Sequence, residues 1–156
     1  MKAPLILGLA LSLAAAATSA SAGTCPADQM RADARTSGET MPAKVTDTEL
    51  SFIALGGEIN GLDNRRLRLR RLVVQPGGVV PWHSHTDRPA LIMTVSGQIT
   101  EYNSTCAVGI DHKAGDVAQE KKGVSHWWKN NGKVPAVLIA ADIKNDADAK
   151  PADDHM

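Results

Sequence analysis

From Leu50 onward the chain breaks into short apolar runs: Leu50 to Leu55, Leu67 to Val74, Val79 to His83, Ala90 to Ser96, Gln98 to Asn103 and Val134 to Ala141. Turn-forming residues separate them, at Gly56-Gly57, Asp63-Asn64, Pro76-Gly77-Gly78, Gly97, Ala114-Gly115-Asp116 and Asn130-Asn131-Gly132. Many short strands at this spacing predict an all-β barrel or sandwich. No stretch beyond residue 22 sustains a helical period.

The two ends of the chain depart from that pattern. Residues 1–22 carry Lys2, an apolar run from Leu5 to Ala17 and the small residues Ala20-Ser21-Ala22. This is the layout of a secretory signal peptide cut before Gly23, with an apolar run too short to span a bilayer comfortably. Residues 23–47 read as a polar N-terminal arm, interrupted by Pro26, Gly38 and Pro42. Residues 48–143 form the barrel domain, and residues 144–156 a disordered, solvated polar tail. The expected setting is periplasmic or secreted. There the two cysteines, Cys25 and Cys106, oxidise to a disulfide that staples the arm to the barrel. By chain entropy, closing so long a loop stabilises the fold by roughly 4–5 kcal/mol.

Charge names no partner. With Lys2 removed, 16 basic residues face 17 acidic ones. Neither nucleic acid nor an anionic membrane surface is expected as a partner, since both call for a strongly basic domain. One local cluster stands out. Arg66, Arg68 and Arg70 alternate with Leu67 and Leu69, which puts the arginines on the strand face opposite the leucines. The expected arrangement is arginines in solvent or guarding an edge. Turned inward, they would select an acidic ligand.

The chemistry concentrates in His83 and His85. Two residues apart on a strand, they project from the same face and deliver two imidazoles to one point. Buried together without a shared partner, they would leave polar nitrogens unpaired. A third imidazole must come from far along the chain, and His126, in Gly123-Val124-Ser125-His126-Trp127-Trp128, is the candidate. His112, between Asp111 and Lys113, reads as a turn residue. Alternation puts Trp128 on the His126 face. Trp128, Thr94 and Glu101 are the candidate ligand-pocket residues, and Trp82 and Trp127 are expected outside the barrel.

These residues resemble the cupin superfamily. Its first motif runs glycine, five residues, H-x-H, three or four residues, glutamate, six residues, glycine; Gly77, His83, His85 and Gly97 fall in register. Its second runs glycine, five residues, proline, one, glycine, two, histidine, three, asparagine; Gly115, Gly123, His126 and Asn130 match. Two positions depart: Lys121 replaces the proline, and Ala90 replaces the metal-binding glutamate. Asp87 and Glu101 are the candidate substitutes, and Glu101 and Glu120 the candidate bases.

The resemblance implies a double-stranded β-helix (jelly-roll) barrel, commonly a homodimer, with the three histidines turned inward onto a divalent metal ion. Three neutral imidazoles leave the ion's charge uncompensated, which favours water, hydroxide or an anionic ligand in its open positions. Within the superfamily an all-histidine site looks like those of thiol and diketone-cleaving dioxygenases. Iron, zinc, manganese, copper and nickel all suit nitrogen donors. The alternative is a non-catalytic barrel that binds a carbohydrate or organic acid beside a structural or ligand-recognising metal.

Overall fold

The apolar runs become strands, and two of them fuse into one. In the computed structural model of the chain, residues 23–146 are described, so the expected signal segment 1–22 and residues 147–156 of the expected tail lie outside them. The strands are β1 (Ala43–Ala54), β2 (Arg65–Ser84), β3 (Ala90–Ser96), β4 (Gln98–Asn103), β5 (Ile110–Lys113), β6 (Val117–Glu120), β7 (Ser125–Lys129) and β8 (Ala136–Asn145). Pairing is antiparallel in the order β5-β4-β7-β2-β8-β3-β6, with β1 laid along β2. The sheet thus starts at Ala43, inside the expected arm, and runs to Asn145, inside the expected tail.

Strand β2 closes the barrel by changing partners. Its first half, Arg65 to Val74, pairs with β8. After Gln75-Pro76-Gly77-Gly78 its second half, Val79 to Ser84, pairs with β7. One sheet thereby folds into two facing layers, giving the expected all-β, nearly closed jelly-roll barrel. Motif glycines sit where the backbone needs them: Gly77, Gly97, Gly115 and Gly123 all take positive φ. Gly97 is doubly constrained, because a Cβ there would lie 2.5 Å from Pro135 O. Asn130 locks the same end, donating from Nδ2 to Val74 O and Val134 O, each at 2.8 Å.

The core between the layers is built from Leu72, Val74, Ile92, Ile99, Trp128 and Leu138. Each such side chain removed from water contributes about 1.5–3 kcal/mol. The arginine strand departs from expectation. Arg68 and Arg70 are buried and face inward, whereas Leu67 and Leu69 face outward. The cause is Asp142 on β8, which takes Arg68 Nε and Nη2 at 3.0 Å each in a two-pronged pair. Arg70 pairs with Asp47 of β1 and approaches Asp142 at 3.5 Å.

The arm has little regular structure yet is fastened throughout. Cys25 and Cys106 form the expected disulfide, and Met30 bridges to Cys106. Trp82 N donates to Glu39 O, and Gly38 lies against Trp127, where a Cβ would meet the ring at 2.1 Å.

Candidate metal centre

His83 and His85 leave the end of β2 on its inward side, and β7 brings His126 directly opposite His83 in the register. The three Nε2 atoms make a triangle with edges of 3.1, 3.0 and 3.1 Å. Each opposite ring nitrogen is engaged by an oxygen. His83 Nδ1 donates to Pro81 O at 2.8 Å, His85 Nδ1 to Arg88 O at 2.6 Å and His126 Nδ1 to Glu101 Oε1 at 3.0 Å. Those acceptors fix the tautomer, so the converging nitrogens present lone pairs. One added proton on the triangle would still leave at least one edge with two lone pairs opposed.

A divalent ion fits this arrangement. Nitrogens about 2.1 Å from one ion, at these separations, subtend roughly 90° there, as three donors on one face of an octahedron do; a tetrahedral ion needs edges of roughly 3.4 Å. His83, His85 and His126 are therefore a group that could hold a metal ion. Burial and the neighbouring His126 push His83 down to about 2 and His85 to about 4, so both rings are neutral donors at ordinary pH. Burial also disfavours charge on His126, but hydrogen bonding to Glu101 and Glu120 outweighs it and raises the ring to about 9.

The carboxylates gather behind His126. Glu120 Oε2 is buried 3.3 Å from His126 Nδ1. Glu101 is held by His126, by His112 Nε2 at 3.0 Å and by Asn103 Nδ2 at 2.6 Å. Burial pushes Glu101 up, but these donors outweigh it and hold it at about 2. Ala90 pairs with Glu120 on one side and Asp142 on the other. The place of the absent motif glutamate is therefore flanked by two buried carboxylates on neighbouring strands.

Other expected residues fall as follows. Trp128 is buried in the core beneath His126, its Nε1 at 3.1 and 3.4 Å from both ring nitrogens and the planes at 80°, so its N–H meets the face of the imidazole. Thr94 is buried too, but pairs with Leu138 at the apolar end. Asp87 is no substitute ligand, because it is exposed and turned onto Arg65 at 2.7 Å. His112 is not a turn residue; it is buried on β5 and supports Glu101. Trp127 stacks outside the barrel on Tyr102 with centroids 4.2 Å apart. A polar groove lined by Thr100, Tyr102, Asp111 and Asn131 lies on that same outer face, away from the histidines.

A family model described as a cupin domain matches residues 70–142, a span that holds all three histidines. Germin-like protein subfamily 2 member 1 from Arabidopsis thaliana is 36% identical over 86 residues, covering 53% of this chain and 39% of that protein. Nectarin-1 of Nicotiana langsdorffii x Nicotiana sanderae is 31% identical over 87 residues, covering 54% and 38%. The chain thus spans about two-fifths of the length of these curated relatives. A solved structure of a predicted oxalate decarboxylase from Thermotoga maritima superposes with a TM-score of 0.54 at 21% identity, covering 77% of this chain and 97% of that one. Oxalate oxidase in complex with the substrate analogue glycolate gives a TM-score of 0.50 at 18% identity, covering 70% and 59%. At those identities the two structures share the fold. Sequence motifs, barrel and family match agree, and the chain belongs to the cupin superfamily.

Proposed function

We propose that this chain is an exported metalloprotein that binds one divalent ion through His83, His85 and His126 and a small organic ligand beside it. The observation that carries the reading is the Nε2 triangle, with every Nδ1 already committed to an oxygen. Glu101 and Glu120 together offer two negative charges against the ion, replacing from other strands what Ala90 does not supply. A triangle of about 3 Å edges favours a six-coordinate ion such as iron, manganese or nickel over tetrahedral zinc. Such an ion, when bound, supplies Lewis acidity and, if iron, activation of dioxygen. The chain's own residues hold it, fix the ring orientations and, through Trp128, exclude water from beneath His126.

The catalytic version of this reading is a metal-dependent dioxygenase. The alternative, a binding barrel for a carbohydrate or organic acid, draws support from the carboxylates: Glu101 and Glu120 approach His126 at Nδ1, on the side of the ring away from the Nε2 cluster. The disulfide supports a periplasmic or secreted setting. A homodimer is supported by the outer face of β2, β3 and β6, where Leu67, Leu69, Leu91, Met93 and Val117 are 39–54% exposed. Sedimentation equilibrium tests it, with Leu91→Glu expected to give monomer.

Metal analysis of untagged protein should return about one ion per chain. His83→Ala should lose it while the far-ultraviolet spectrum stays that of a β-barrel; unchanged metal content would refute the assignment of that residue. Oxygen uptake by iron-loaded protein across a panel of thiols and diketones separates the dioxygenase from the binding barrel.

A further inference from the structure

The two ends of β2 meet beside the metal centre. Laid straight, a strand of 20 residues would run roughly 65 Å. Yet Arg65, its first residue, reaches Asp87, just beyond its last, because β2 turns back on itself after Gln75-Pro76-Gly77-Gly78. The grip has two prongs. Arg65 Nη1 donates to Asp87 O at 2.9 Å, and Nη2 to Asp87 Oδ1 at 2.7 Å. Asn145, the register partner of Arg65 on β8, adds a side-chain hydrogen bond to the same carboxylate.

Asp87 belongs to the loop that joins β2 to β3 and carries His85 into the site. Main-chain bonds tie that loop at its two ends, from His85 N to Val124 O at 2.8 Å and from Ile143 N to Pro89 O at 3.1 Å. Between them, Arg88 N reaches His85 O only at 3.4 Å. Two successive carbonyls in this stretch serve different partners. Asp87 O accepts from Arg65, and Arg88 O accepts the Nδ1 proton of His85 at 2.6 Å. We propose that Arg65 is a positioning residue of the metal centre: it holds the peptide between Asp87 and Arg88, so that Arg88 O orients the His85 ring toward the ion. A planar guanidinium can hold a main-chain and a side-chain oxygen at fixed angles together, which the mobile ammonium of lysine does less firmly. The two side chains are 25% and 59% exposed, so their attraction adds little to folding and its effect is read at the site. This inference rests on the metal reading above, and the experiment separates the two.

Wild type and variants are loaded with cobalt, whose affinity is measured by competition with a chelator and whose visible absorption reports the geometry of its ligands. Arg65→Met should bind cobalt about tenfold more weakly, the lower end of the range for outer partners of ligating histidines, with a shifted spectrum. Arg65→Lys should restore part of both. Arg66→Met removes the neighbouring pair with Asp146 at 2.9 Å and not the clasp, and should match wild type. In an Asp87→Ala background, Arg65→Met should cost less than it does in wild type, because one prong is already gone. Wild-type affinity and spectrum in Arg65→Met, or an equal loss in Arg66→Met, overturns the clasp and leaves the metal reading standing. A wild type that takes up no cobalt overturns the metal reading, and the clasp built on it falls as well.

Discussion

The two ends of the barrel are lined by opposite kinds of side chain. At the end closed by Gly97 and Asn130, the inward positions are Val74, Ile99, Leu138 and Trp128, and close packing alone keeps water out. At the other end the inward positions are Arg68, Arg70, Asp142, Glu120 and the three histidines, all placed on the same strands or their direct neighbours. Burial does not separate the two ends, since Leu138 is 2% exposed and Asp142 1%. What separates them is how much each position depends on a specific partner. An apolar side chain tolerates many neighbours, whereas a buried ion needs a counterion at hydrogen-bond distance. The apolar end therefore holds the fold, and the charged end uses the rigidity so obtained to fix a site.

The largest effects test that division. Asp142→Ala leaves Arg68 and Arg70 buried beside an empty carboxylate position and should cost about 3–5 kcal/mol in urea unfolding. Leu138→Ala, at the apolar end, should cost about 2–5 kcal/mol through the cavity it opens. Chemistry then distinguishes the two losses. The paired exchange Arg68→Met with Asp142→Leu should return most of the lost stability, because it removes both ions at once. If the pair is as unstable as Asp142→Ala alone, the charged end is a folding element in its own right and the division fails.

A smaller effect sharpens the comparison at the site. Glu120→Gln keeps the shape of the side chain and removes its charge behind His126. Metal affinity, measured by competition with a chelator, should fall roughly 10- to 100-fold, in the range found for outer carboxylates on ligating histidines. Leu138→Ala should leave that affinity unchanged. Equal losses in the two variants would mean that metal binding reports general loosening of the barrel and not the carboxylate.

The same contrast explains what could be read from the chain before folding. His83 and His85 declared themselves by strand alternation, Gly77, Gly97 and Gly115 as turn residues, and Gly123 through the second motif; all four glycines take positive φ. Arg68 did not. Alternation places it opposite Leu67 and Leu69 but cannot say which face is inside; that is decided by Asp142, 74 residues away. His112 was obscured in a similar way, because the four-residue strand β5 is too short to show a period and its partner Glu101 is contributed by β4. Contacts that join remote strands through ions leave no local signature, whereas turns and two-residue periods do.

The smallest expected effect concerns acid. Burial raises the Asp142 carboxyl, but the Arg68 hydrogen bonds and the charges of Arg70, Arg68 and Arg88 outweigh it and hold the group below its ordinary value. A carboxyl depressed in the folded state contributes stability that is complete above its unfolded value of about 3.9 and disappears as pH falls through the folded value. Urea midpoints of wild type should therefore lose this contribution only below about pH 4, as Asp142 is forced to protonate within its ring of arginines. The Arg68→Met, Asp142→Leu pair lacks the group, so its midpoint should fall less steeply over the same interval. Leu138→Ala, which leaves the ion network intact, should follow the wild-type slope at a lower midpoint. Parallel acid slopes in all three proteins would remove Asp142 from the account of acid sensitivity and, with it, the claim that the charged end depends on its counterion.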